Sequence, residues 1–100
     1  MFARIGTFDV PPAKIDTVTA YFRDEAVPAF SKHEGFLGYQ AYVNRAKGRI
    51  VGISLWTTRA ALEASAETAR PLLAHAAALG AALIGDPQIL EQAFDAPPTR

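Results

Sequence analysis

The chain contains no cysteine, which excludes a disulfide framework, a thiolate nucleophile and a zinc-thiolate centre. It has no surplus of either charge. Ten lysines and arginines face ten aspartates and glutamates, so the formal net charge is zero. Lys32, Arg45, Lys47 and Arg49 form the only loose basic cluster, and that is too little for an electrostatic nucleic-acid footprint. Histidine occurs twice, as His33 and His75, without H-x-x-H or H-E-x-x-H spacing, so no metal is expected. No G-x-G-x-x-G or P-loop pattern is present, and Ser31, Ser54 and Ser65 lack a nucleophile-elbow context. No apolar run approaches the ~20 residues of a membrane helix. Met1 to Thr7 has no apolar signal core, with Arg4 standing where one would begin. The expected location is therefore the cytoplasm, and no cofactor, nucleic acid or membrane partner is expected.

What is present is a chain of 100 residues that is 50% hydrophobic and 20% charged, enough for a packed core. We expect one domain over residues 1–96 and a frayed tail over 97–100. Twenty of the hydrophobic residues are alanine, which buries little area, and small chains bury a small fraction of their surface. A second copy of the chain is the simplest remedy.

Phe2 to Phe8 reads as a strand, stopped by Asp9 and the Pro11-Pro12 pair. Ala13 to about Lys32 reads as an amphipathic helix carrying Ile15, Val18, Phe22, Ala26 and Ala29, with a kink or break expected at Pro28 and a glycine cap at Gly35. Phe36 to Val43 and Arg49 to Trp56 read as two strands joined by a hairpin loop ending in Gly48. The second of these is apolar on both alternations, so both faces should be covered. The chain's own helices cover one face, and a partner sheet is expected on the other. Thr57-Thr58 supplies N-cap oxygens for a helix from Arg59 to about Leu79, expected as two pieces meeting at Pro71 and ending at Gly80. Residues 81–85 are ambiguous between helix tail and strand, and Gln88 to Phe94 reads as a last strand. The order β-α-β-β-α-β predicts an α+β, ferredoxin-like fold, an antiparallel sheet with two helices on one face.

Three segments carry a family likeness: Phe2-Ala3-Arg4-Ile5, Gly35-Phe36-Leu37-Gly38-Tyr39, and Ile53-Ser54-Leu55-Trp56-Thr57-Thr58-Arg59-Ala60-Ala61-Leu62. With them the chain resembles the antibiotic biosynthesis monooxygenase family of the dimeric α+β barrel superfamily. The resemblance implies two subunits pressing their sheets into a barrel, with a pocket between sheet and helices in each. It also implies, for some members, oxygenation of quinol-like or anthrone-like aromatics without metal or flavin. Heme-degrading relatives use an asparagine on the first strand, a tryptophan in helix two and a histidine further along it. Here the first strand lacks the asparagine and the stretch after Trp56 lacks the tryptophan. Only His75 has matching spacing, so heme degradation is not expected.

His75 is the candidate catalytic base. It neighbours Leu72 and Leu79 at the edge of the apolar stripe and has a reference pKa of ~6.5. The bland alternative is a half-exposed histidine on an alanine-rich helix. Trp56, Arg4 and Tyr39 are candidate substrate-binding residues. Trp56 equally suits the core, with its indole N–H on an oxygen. Arg4 needs a partner, for which Glu91 is favoured over a bound anion. Tyr39 lies on one face of its strand, and Gln40 with Tyr42 on the other. His33 is expected at the surface. Two functions follow as expectations: a small cofactor-independent monooxygenase acting on an aromatic or quinol-like molecule, or a non-catalytic dimeric barrel that binds a small hydrophobic ligand or serves a structural role.

Overall fold

The β-formers that open the chain run as β1, Phe2–Asp9, in the computed structural model, which describes residues 1–99. Arg100, the end of the expected frayed tail, lies outside the described residues. After β1, Pro12–Lys14 make a 3-10 turn, where proline's fixed φ suits a helical start. The helical run continues as α1, Ile15–Tyr21, a π-helical turn, Phe22–Ala26, and α2, Val27–Phe30. The irregularity expected at Pro28 is this widened turn directly before it. Proline has no N–H to donate, and its ring would crowd the preceding turn in a regular helix. Gly35 closes the segment at φ +88° and accepts from the Thr57 amide at 2.9 Å.

The strands β2, Phe36–Asn44, and β3, Arg49–Trp56, form the expected hairpin, with Gly48 at φ +65°. A register shift between Phe36 and Gly38 bends the start of β2. The second helical segment is α3, Arg59–Ala64, and α4, Ala66–Ala78. Thr58 caps α3 through its hydroxyl, which accepts from the Ala61 amide at 3.1 Å. The joint lies at Ser65, not at Pro71, which sits inside α4. Fully buried Ser65 turns its hydroxyl onto the Leu62 carbonyl at 2.6 Å, and this local bond competes with helix continuation.

Residues 81–85 resolve as a two-residue strand, β4, Ala82–Leu83, followed by β5, Gln88–Glu91. Both pair antiparallel with β1, at its end and at its start, giving the order β2-β3-β1-β4 with β5 also on β1. The last strand stops at Glu91, short of the expected Phe94. Its partner β1 begins at Phe2, and the final bond is from the Gln92 amide to the Met1 carbonyl. The fold is the expected α+β antiparallel sheet with helices on one face. Phe8, Ile50 and Trp56 from the sheet meet Ile15, Val18, Phe22, Phe30 and Leu62 from the helices in one buried core. The sheet does not close on itself. Val51, Ile53 and Leu55 of β3 project to the other face, only partly covered, beside Tyr42, which is 58% exposed.

Candidate functional site

Strand alternation sets which side chains meet the helices. On β1 these are Phe2, Arg4, Gly6 and Phe8, and on β3 they are Ile50, Gly52, Ser54 and Trp56. The register places Gly6 directly opposite Gly52. Two neighbouring central strands therefore lack a side chain at the same level. Neither glycine has a positive φ, so space and not backbone conformation is what they provide.

Above this bare floor lies a cavity of about 50 Å³. Phe8, Phe22, Phe30 and Tyr39 supply aromatic walls, and Ala69, Leu72, Leu73 and Leu83 supply aliphatic ones. Tyr39 reaches across from β2, and its hydroxyl lies over Gly52. Its ring centroid is 6.1 Å from that of Phe22 and 6.5 Å from that of Phe30. Phe22 and Tyr39 also wall an open groove of about 290 Å³ with Thr19, Arg23, Val27 and Ala41. Cavity and groove thus share one aromatic partition, half of it carried on the π-helical turn.

The polar groups on the cavity walls are Arg4, Tyr39 and Ser54. Burial pushes the Tyr39 phenol up to about 12, so it is a neutral hydrogen-bonding group at neutral pH. Burial pulls the Arg4 guanidinium below its ordinary value, but an arginine remains a cation. Ser54 accepts from the Trp56 indole at 2.9 Å. Arg4 donates from Nη2 to the Leu62 carbonyl at 2.7 Å, while Nη1 is buried with no partner. The expected pairing with Glu91 does not occur. The register sets Glu91 opposite Phe2, and Arg4 opposite Ile89 and Ser54.

The sequence candidates therefore separate. Arg4 and Tyr39 meet at the cavity. Trp56 is fully buried in the core, edge-on to Phe30 and Phe36, and is not a cavity wall. His75 is exposed on α4, outside the cavity, and lies against Tyr21 with ring centroids 4.7 Å apart and the planes tilted by 36°. The helical turn that points Ala69, Leu72 and Leu73 inward carries His75 past the cavity. His33, expected at the surface, is half-buried, with Nε2 2.6 Å from the Thr68 hydroxyl. Gly6, Gly52, Ser54, Phe22 and Phe30 were missed as site residues. The available signal was small residues at alternate positions of β3, which gains meaning only once Gly6 is known to lie opposite. Among the described residues no group of three or more metal-ligating side chains comes together, and no helix is long and apolar enough to cross a membrane.

The family model for antibiotic biosynthesis monooxygenases matches residues 1–77. The chain belongs to that family. A curated relative, the uncharacterized protein Rv2558 of Mycobacterium tuberculosis, is 34% identical over 77 residues. That match covers 77% of this chain and 33% of the relative, so the matched region is about a third of the relative's length. Among solved structures, this family member is similar to the ActVA-Orf6 monooxygenase of Streptomyces coelicolor in complex with nanaomycin D. The TM-score is 0.73 at 17% identity, covering 97% of this chain and 92% of that one. It is also similar to SnoaB, a cofactor-independent oxygenase from Streptomyces nogalater, with a TM-score of 0.63 at 21% identity, covering 97% and 95%. At such identities the likeness concerns the fold.

Proposed function

We propose that this family member is a cofactor-independent monooxygenase that oxygenates an aromatic or quinol-like molecule in the cavity between sheet and helices. The observation that carries the reading is the apolar, aromatic-walled cavity, kept open by the Gly6–Gly52 pair on a monooxygenase-family fold. A reacting ring occupies the inner cavity after Phe22 and Tyr39 rotate aside, and the rest of the molecule lies in the groove they share. In such chemistry the substrate loses a proton, and the carbanion or phenolate reduces dioxygen. Carbon–oxygen bond formation gives a peroxide, which takes up a proton and loses water to leave a carbonyl. One dioxygen is consumed, one oxygen atom enters the product and the other leaves as water. The protein contributes orientation, a dry setting and electrostatic stabilisation of the anion. His75 makes no contact with a substrate held there.

The open face of the sheet supports a homodimer. Val51, Ile53 and Leu55, with Leu90 at 47% exposure, form an apolar surface that a second copy would cover.

The test is an oxygen electrode with quinols and anthrones, in the presence of a chelator and without added flavin. Uptake of one dioxygen per carbonyl formed, without hydrogen peroxide, is expected. It should fall at least tenfold when Ala69→Leu fills the cavity. No uptake above the buffer rate by the folded protein, or uptake indifferent to Ala69→Leu, overturns the reading. Ligand binding without oxygen uptake selects the second reading, a non-catalytic barrel domain that binds a small hydrophobic molecule. That reading is favoured by the modest 50 Å³ of the inner cavity.

A further inference from the structure

Arg4 is the one charged side chain among the cavity walls. Buried charged donors ordinarily find partners, because an unmet charge in low dielectric is costly. The ion pairs among the described residues engage Arg23, Arg45, Arg49, Arg59 and Arg70, and Arg4 is in none of them. Its position is nonetheless well determined. β1 carries it beneath the α3–α4 joint, where the Leu62 carbonyl accepts from Nη2 at the negative end of α3. One arm of the guanidinium is anchored and the other, Nη1, is buried without an acceptor.

We propose that Arg4 docks the ionised hydroxyl oxygen, phenolate or enolate, of a flat aromatic ligand in this cavity. The proposal rests on reading the cavity as the substrate site and does not require turnover. A flat ring admitted by displacement of the Phe22–Tyr39 partition would lie against aromatic walls, and a cation is the complement of an anionic oxygen. Nη2 gives one N–H to Leu62, whereas both N–H groups of Nη1 lack an acceptor, so an anionic oxygen is expected on Nη1. Tyr39, neutral and the other titratable wall, adds no competing charge. Contact with Arg4 favours the ionised ligand, and the released proton passes to solvent. The same contact would hold the electron-rich oxygen in place for an oxygenation.

The experiment is an anaerobic titration of the full chain with 4-nitrophenol, whose phenolate is read directly by its absorbance. The bound phenol's pKa should fall by about 1–3 units, as for an acid beside a cation. The shift should vanish in Arg4→Gln. A second measurement on the unaltered protein covers failure of that variant to fold. Nitrobenzene, which lacks the hydroxyl, should bind at least tenfold more weakly than 4-nitrophenolate. No binding at millimolar 4-nitrophenol, an unshifted pKa, a shift surviving in folded Arg4→Gln, or nitrobenzene binding as tightly as the phenolate each overturns the assignment. Phenolate binding with the expected shift but no oxygen uptake on any quinol removes the oxygenase reading and leaves Arg4 as the docking group.

Discussion

Gly52→Ala tests the reasoning about the cavity floor most directly. Gly52 lies in the central strand β3 at ordinary φ, so alanine is conformationally acceptable there. Taken alone, replacing a strand-interior glycine gains roughly 0.5–1 kcal/mol from reduced chain entropy. The structure opposes this gain. A methyl on Gly52 would overlap the Tyr39 hydroxyl and stand 3.0 Å from ring carbon Cζ. Tyr39 must move, and its ring is held against Phe22 and Phe30. Overpacking of this kind costs roughly 1–3 kcal/mol. The expected net loss is about 1 kcal/mol, which lowers the melting temperature of a chain this size by roughly 4–8 °C. Differential scanning calorimetry of a double-mutant cycle with Tyr39→Phe isolates the cause. Removing the hydroxyl relieves the worst overlap and leaves the tight contact at Cζ, so about half of the loss should return. An unchanged or raised melting temperature for Gly52→Ala refutes the argument. So does a loss that is the same with phenylalanine at position 39.

Gly35→Ala should cost at least about 2 kcal/mol in urea unfolding, because φ is +88° and a methyl would meet the Thr57 hydroxyl at 2.7 Å and Ala61 Cβ at 2.8 Å. Ser65→Ala should cost about 1 kcal/mol by the same assay through loss of its bond to the Leu62 carbonyl, which keeps Arg4 as a donor. Tyr39 is raised by burial from 10.0 to about 12, so its folded form resists ionisation. Its contribution to stability is complete below pH 10 and is lost as pH rises from 10 through 12. The absorbance difference between wild type and Tyr39→Phe during alkaline titration should place this phenolate near 12, and a midpoint near 10 contradicts its burial. Arg4→Met, which deletes a partly buried charge lacking a full set of partners, should leave the melting temperature within a few degrees of wild type. A large loss would show that the Leu62 contact is structural.

Local chemistry made most of the elements readable. Pro11-Pro12, Gly35, Gly48 and Gly80 punctuate the chain where the elements end, and the last three carry positive φ angles. The alternation of β3 disclosed a sheet apolar on both faces, and Thr58 marked the start of α3. The helix joint was misplaced because proline is a loud local signal, whereas Ser65 acts through burial and one carbonyl. The last strand was drawn too long because its end depends on where β1 runs out of partners.

The site shows the same division. Residue types and periodicity, which are properties of neighbours along the chain, determined the fold class and singled out Arg4 and Tyr39. Composition excluded thiolate chemistry and a nucleic-acid footprint. Tertiary structure decided which candidates share a cavity. The antiparallel register sets Gly6 against Gly52 and puts Glu91 out of line with Arg4. The rotation of α4 turns Leu72 and Leu73 inward and leaves His75 outside. Pairing register and helix rotation are settled by packing between segments far apart in sequence, and no local pattern encodes them.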